Sequence, residues 1–244
     1  MNKKGQVTIF VILGILIVVA GVLYFSFRDV VDSSVGGFSG SNQVKVFVDE
    51  CFEEVSEEAV YLVGEGGGYF ISENFSEETG FNYHLYGEEN YFPSLETIEE
   101  EISLYVATNL FFCINDFQDF SEFEIKYGKI DVSTEIFNDS VEVGLDFPVS
   151  VRKGEEVVRF ESFDKIIIPV RLGEMHFVLD KLISEDYYGE KGICLSCIDE
   201  LVYEHNFVFE HVGLGEEDLF LLIDFENEKT EKPYMFVFVN RRLK

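Results

Sequence analysis

The chain has 244 residues, of which 47% are hydrophobic and 26 are Phe, enough apolar material for a packed core in one domain or two small ones. Its formal net charge is −29, yet residues 1–28 contain Lys3, Lys4 and Arg28 and no acid. The other 15 of its 18 basic residues face all 47 acids, so residues 29–244 carry a formal charge of −32. Such a surface repels the phosphate backbone, which excludes nucleic acid as a partner.

The N-terminal segment contains an apolar run from Val7 to Phe27, 21 residues without a charge. As a helix this run would extend about 31 Å and match the apolar core of a bilayer. Lys3 and Lys4 precede it and the acidic residues follow it, so we expect a single-pass protein with its N-terminus in the cytoplasm. One interpretation is a secretory signal cleaved after Ala20, and a second is an uncleaved anchor.

A third interpretation of the N-terminus comes from a resemblance. Lys3, Lys4, Gly5 and Gln6 stand directly before the apolar run, and this order resembles the class III signal of archaeal type IV pilin-like proteins. In that family the prepilin-type peptidase, a membrane aspartyl peptidase, cuts after the glycine, and the apolar helix stays as an anchor or filament core. The resemblance implies cleavage between Gly5 and Gln6, a location at the cell membrane of an archaeon, and other pilin-like subunits or surface proteins as partners.

The segment after the apolar run is rich in glycine and serine, which predicts a flexible linker. Filament-forming pilins usually continue their helix beyond the membrane. The linker therefore favours a minor pilin, adhesin or surface-assembly component over a filament builder. The expected domains are an anchor over residues 1–28, a linker over 29–42, and an acidic extracytoplasmic domain over 43–244.

Two helices are predicted after the linker. Apolar residues recur every three or four positions over 42–63, and this helix should end at Gly64 in a flexible glycine turn. The segment 93–117 predicts a second helix with Ser94 as its N-cap. Residues 65–92, between the helices, are expected to form a loop or short hairpin that contacts a partner. The candidate contact residues are Tyr69, Phe70, Tyr83, Tyr86, Tyr91 and Phe92.

The second half of the chain has the patterns of strands and further helices. Residues 129–137, 140–151 and 155–172 alternate or run apolar, with turn signals between them, which predicts an antiparallel β-meander. Helices are expected near 173–183 and 197–205, followed by a C-terminal hairpin of 219–225 with 234–240. This order predicts an α+β fold.

Four cysteines on the predicted exterior are expected to form disulfides, which persist outside the cytoplasm. Cys51 and Cys113 lie on the apolar stripes of the two early helices, so helix packing would bring them together. A bond between them would close a loop of about 62 residues and contribute about 4 kcal/mol to stability. The alternative is two buried thiols, which pack well as small apolar groups.

The remaining cysteines, Cys194 and Cys197, form a CxxC motif near the start of a predicted helix. A local structural disulfide is the first interpretation. The alternatives are a thiol–disulfide oxidoreductase, because a helix N-terminus favours the thiolate, and a zinc site completed by His205 and His211. The zinc spacing is shorter than finger-type sites use.

Other motifs give little chemistry. Asn74 and Asn138 begin glycosylation sequons, and the isolated His84 and His176 are expected on the surface or in loops. The chain has no G-x-S-x-G or H-E-x-x-H motif, so hydrolase chemistry is not supported. We expect no cofactor, and a structural or binding role in place of an enzyme activity.

Overall fold

The computed structural model describes residues 39–184, 188–189, 192–225 and 232–241. The chain divides into two compact units, Met1–Val44 and Lys45–Lys244, and residues 39–44 are the described part of the first unit. The predicted anchor and the linker up to residue 38 lie outside the described residues. Among the described helices, none is both long enough and apolar enough to span a bilayer.

The described elements alternate in type along the chain, and the fold is α+β as predicted. The helices are α1 Ser39–Glu65, α2 Leu95–Ile114, α3 Leu172–Ser184 and α4 Leu195–Glu204, with a 3₁₀ helix at Asn115–Phe120. The first six strands are β1 Tyr83–Tyr86, β2 Glu89–Asn90, β3 Glu124–Tyr127, β4 Asp131–Ile136, β5 Val141–Lys153 and β6 Glu156–Ser162. The others are β7 Ile166–Ile168, β8 Tyr188–Gly189, β9 Gly192–Ile193, β10 Val208–Leu214, β11 Glu217–Asp224 and β12 Tyr234–Arg241.

The two early helices follow the predicted periodicity, with different boundaries. α1 begins at Ser39, so residues 39–42 are helical and do not belong to a linker. The side chain of Ser94 caps α2, as predicted, by accepting the N–H of Thr97 at 3.1 Å. α2 ends at Asn115, which takes the left-handed conformation common at helix C-termini.

The glycine-rich turn after α1 is tightly packed rather than flexible. The N–H of Gly68 bonds to the carbonyl of Val63 at 2.8 Å, and both Gly67 and Gly68 have positive φ. A Cβ atom on Gly67 would lie 2.6 Å from the carbonyl oxygen of Val237, so only glycine fits there. This close approach fixes where the chain leaves α1 and enters the segment that leads to β1.

The predicted meander is present as a sheet of β3 to β7, here called the meander sheet. β5 is its central strand, paired antiparallel with β3 and β4 on one edge and with β6 and β7 on the other. Alternate side chains of β5 are buried, as its sequence pattern predicts. α2 lies beside β4, where Glu99 accepts the N–H of Ile136 at 2.9 Å. The buried residues of β5 are Val141, Val143, Leu145, Phe147, Val149 and Val151.

The second large sheet, here called the C-terminal sheet, has the strand order β10-β11-β12-β1-β2. The predicted C-terminal hairpin is confirmed as the antiparallel pair β11–β12. β10 extends this hairpin on one side. On the other side β1 pairs parallel with β12, and β2 folds back on β1. The first strand of this sheet therefore comes from the segment that was expected to contact a partner.

Three helices cover one face of the C-terminal sheet. α1 contacts β12 through Tyr234, whose hydroxyl donates to the carbonyl of Val60 at 3.1 Å. α3 buries residues spaced by three and four, and with α4 and the sheet it lines a small pocket of about 20 Å³. The pocket is lined by Leu182, Ile183, Ile198, Phe209, Phe220, Phe238 and Asn240.

Candidate functional site

The predicted disulfide between Cys51 and Cys113 is present, with the two Cα atoms 5.9 Å apart. It joins the middle of α1 to the last turn of α2. Cys51 is buried, and nearby Phe47 contacts the rings of Phe117 and Phe120. The bond is therefore part of the packed core and holds the two helices together.

Cys194 and Cys197 also form a disulfide, located at the start of α4. The carbonyl of Cys194 accepts the N–H groups of Cys197 and Ile198, both at 3.1 Å. Both cysteines are half-buried, so this bond is more accessible than the first. Its reduction would leave two thiols at the positive end of the α4 dipole, an environment that favours thiolates.

The four residues of the alternative zinc site are not brought together. His205 ends α4 and lies 2.8 Å from Glu174, whereas His211 lies within β10 and 2.7 Å from Asp218. The two histidines do not share a strand, because β10 begins only at Val208. Across the described ranges, no group of three or more His, Cys, Asp or Glu side chains is placed to hold a metal ion.

The remaining predicted sites have different outcomes. Gly5 and Gln6, the predicted cleavage residues, lie outside the described residues. Asn74 and Asn138 are both exposed. Asn138 lies in the turn between β4 and β5, whereas Asn74 lies two residues before Ser76, whose hydroxyl is buried and donates to Glu217 at 2.5 Å.

The aromatic residues expected to contact a partner are instead buried or half-buried. The hydroxyl of Tyr69 donates to the carbonyl of Tyr91 at 2.8 Å, and Phe70 packs edge-on against Tyr105 with ring centroids 4.7 Å apart. They pack inward because their segment supplies β1 to the C-terminal sheet. The sequence did not predict this packing, since pairing of β1 with a strand at the far end of the chain has no local signal. Contact of these residues with a partner stays a prediction.

His84 was expected at the surface and is fully buried in the C-terminal sheet. Its Nε2 donates to the carbonyl of Gly67 at 2.8 Å, and its ring stacks on Phe238 with centroids 4.3 Å apart. Within the described part of the chain, Nδ1 has no hydrogen-bond partner. Burial lowers the pKa of His84 to about 3, although the bond to Gly67 acts in the opposite direction. The ring is therefore neutral near pH 7.

His176 and His84 both contact the ring of Phe92. The Nε2 of His176 bonds to the carbonyl of Pro93 at 2.8 Å, and its ring stacks on Phe92. Burial lowers the pKa of His176 as well. Both histidines thus connect the segment before α2 to neighbouring elements, which is a structural role.

Glu217 is a buried carboxylate that ties β11 to the segment before β1. Ser76 donates to one of its oxygens, and the hydroxyl of Tyr83 donates to the other. Arg241 lies 3.5 Å from the same carboxylate. Burial, together with the bond to Glu217, raises the pKa of Tyr83. Ser76 and Tyr83 are each more than 130 residues from Glu217 in sequence, so no spacing in the chain predicts the cluster.

A second buried carboxylate, Asp224, pairs with Arg171. The guanidinium donates from Nε and Nη2 to the two carboxylate oxygens at 2.8 and 2.6 Å. Arg171 also donates to the carbonyl of His205 and lies over the ring of Phe207. The sequence carries a signal for this site, because Asp224 directly follows the five apolar residues 219–223.

No family model matches this chain, and neither a curated protein nor a solved structure matches it. The buried clusters around Glu217, Asp224 and His84 bond to groups of the chain itself and hold distant segments together. Among the described residues, the half-exposed disulfide at α4 and the outer edge of β10 are candidates for contact with other molecules, and no other described strand pairs with that edge.

Proposed function

We propose that this chain is a single-pass membrane protein whose acidic α+β domain works outside the cytoplasm as a pilin-like surface component. Its role is structural or interactive, as a minor pilin, adhesin or assembly component. The observation that carries the proposal is that all four cysteines are paired in disulfides. Such bonds persist in oxidising compartments, in agreement with the orientation inferred from Lys3 and Lys4.

The N-terminus supplies the second part of the proposal. The prepilin-type peptidase would cut between Gly5 and Gln6, and the apolar run would remain as the membrane anchor. Asn74 and Asn138, both exposed, would be available to a glycosylation system at the cell surface. Other pilin-like subunits or surface proteins are the expected partners.

A second candidate function is thiol–disulfide exchange at the α4 disulfide. The observation that favours it is the half-exposed position of Cys194 and Cys197 at a helix N-terminus. In such an exchange a thiolate of a partner dithiol attacks one sulfur of the disulfide and forms a mixed disulfide. The second partner thiol then resolves it, so the partner is oxidised and the CxxC pair is reduced.

The experiment for the first proposal is the intact mass of the protein purified from native membranes without reductant. A mass that begins at Gln6 and lacks the four thiol hydrogens supports peptidase processing and an oxidising location. A chain that retains residues 1–5 contradicts the pilin-like processing and leaves an ordinary anchored domain. Retention of full thiol-exchange activity by a Cys194→Ser, Cys197→Ser variant would rule out the second candidate.

A further inference from the structure

Within the described ranges, β10 is an edge strand and no strand pairs with the main-chain groups on its outer side. β10 pairs with β11 over seven consecutive residue pairs, from Val208 with Ile223 to Leu214 with Glu217. Leu214 and Glu217 flank a two-residue loop and therefore form a hydrogen-bonded pair. The alternation along the strand then points the N–H and C=O groups of Phe209, His211 and Gly213 away from β11.

This edge lacks the features by which sheets usually avoid pairing with other chains. Within the described part of the chain, β2 at the opposite edge has two residues. At the edges of the meander sheet, β3, β4 and β6 carry two or three charged residues each, and the uncharged β7 has three residues. β10 has seven residues in regular register, with no lysine, no proline and one acid, Glu210. Its main chain is therefore available for an added strand.

The side chains along one face of β10 suit an extended peptide. Val208 is 42% exposed and Val212 is 45% exposed, with Glu210 exposed between them. Behind these residues, half-buried Leu219 and Leu221 continue the apolar surface onto β11. In an added strand, every second side chain would lie on this face. Two apolar side chains would lie beside the valines, and the side chain between them on this face would lie beside the carboxylate of Glu210.

We propose that the edge of β10 binds an extended segment of a partner protein as an added strand, with β-branched residues beside Val208 and Val212 and a basic residue beside Glu210. Charge favours this occupant over a second copy of the chain, since residues 29–244 carry a formal charge of −32 and two copies repel each other. The inference rests on the proposed interaction role and deepens it by defining the kind of partner.

The test uses the full-length protein in detergent and a labelled peptide of about nine residues, the length of an ordinary strand. Threonine occupies its odd positions, and valine and lysine take turns at its even positions, so that valine, lysine and valine share the face that would lie beside Val208, Glu210 and Val212. The expected result is saturable binding that weakens with salt, with slower amide exchange at Phe209, His211 and Gly213. The amides of Val208, Glu210 and Val212 already bond to β11 and should exchange at unchanged rates. Binding without this alternating protection would overturn the proposal.

Variants separate the main-chain contribution from the charge. Gly213→Pro removes an outward N–H without touching the β11 ladder, and Glu210→Lys reverses the charge; each should weaken binding about tenfold. Glu161→Lys, on the exposed edge of β6, is the matched control and should leave binding unchanged. Equal weakening by Glu210→Lys and Glu161→Lys would show only general charge attraction and overturn the site.

Two further outcomes also count against the proposal. In the first, the peptide does not bind, and the full-length protein forms dimers in which the β10 amides are protected. This result would assign the edge to a second copy of the chain. An intact mass that begins at Gln6, together with absent peptide binding, would overturn the strand-addition site and leave the proposed surface function standing. Failure of strand addition and failure of the surface function are thus distinguishable.

Discussion

The two large sheets of this protein are built in different ways. The meander sheet connects neighbouring strands by short turns, and its charged side chains, such as Lys165, are largely exposed. The C-terminal sheet joins β1 to strands more than 120 residues further along the chain and buries Glu217, Asp224 and His84. Alternating side chains and turn residues thus suffice to specify the meander sheet. In the C-terminal sheet, buried polar groups link segments that are distant in sequence.

The largest expected effect concerns the disulfide that links the helices beside the two sheets. The double variant Cys51→Ala, Cys113→Ala opens a loop of 62 residues and should lower the free energy of unfolding by about 4 kcal/mol. The Cys194→Ala, Cys197→Ala variant opens a loop of three residues and should cost about 2 kcal/mol. Urea unfolding measures both. Equal losses would mean that chain entropy does not set the difference.

A second comparison sets a buried ion pair of the C-terminal sheet against an exposed one of the meander sheet. Arg171→Ala removes the guanidinium that holds both oxygens of fully buried Asp224 and should cost about 3 kcal/mol of stability. Lys165→Ala breaks the exposed pair with Glu142 and should cost less than about 1 kcal/mol. If urea unfolding shows similar losses, the buried pair does not stabilise the C-terminal sheet as described.

Lowering the pH should destabilise the C-terminal sheet through His84. The meander sheet contains no histidine and lacks this source of acid sensitivity. Because burial lowers the pKa of His84 from 6.5 to about 3, the unfolded chain binds this proton more readily than the folded chain. The contribution of neutral His84 to the free energy of unfolding is fully present above about pH 6.5 and is lost as the pH falls. At pH 4 the free energy of unfolding should be lower by about 3 kcal/mol for this reason. Unfolding curves should show that His84→Gln removes this share of the acid dependence. An unchanged acid dependence would contradict the neutral buried ring.

The smallest expected difference compares two glycines with positive φ. Gly67 lies against Val237 of the C-terminal sheet, whereas Gly154, in the β5–β6 turn of the meander sheet, has open space around it. Gly154→Ala should cost about 1 kcal/mol for its backbone conformation. Gly67→Ala adds a clash with a carbonyl oxygen and should cost about 2 kcal/mol or more. Thermal unfolding measures both losses. Equal decreases in the unfolding temperature of the two variants would contradict the tight packing of the turn at Gly67.

The features that the sequence predicted correctly depend on local patterns. The meander follows from alternation along β5 and from its turns, where Gly154 supplies a positive φ. Ser94 predicted the start of α2 because a helix N-terminus needs a side-chain acceptor for its N–H groups. The Cys51–Cys113 bond followed from two apolar stripes that had to pack together.

The features that the sequence did not predict depend on contacts between distant residues. From the sequence, Tyr83 and His84 were expected at the surface or in a loop. In the structure both are buried because β1 pairs with β12. No sequence pattern near His84 predicts that its ring stacks on Phe238. The pairing of Asp224 with Arg171 was not predicted either, although an acid directly after the apolar residues 219–223 is a local signal for a buried charge that needs a partner.

We propose that the disulfide-linked domain lies outside the cytoplasm, and accessibility of a single added thiol tests this location most directly. Ile167, on the outer surface of the meander sheet, is 61% exposed and distant in sequence from all four cysteines, so Ile167→Cys adds one accessible thiol. Intact cells that produce this variant would be treated with a maleimide that does not cross membranes, and permeabilised cells would serve as the reference. The prediction is equal labelling in both. Labelling that requires permeabilisation would place the domain in the cytoplasm and contradict the proposed function.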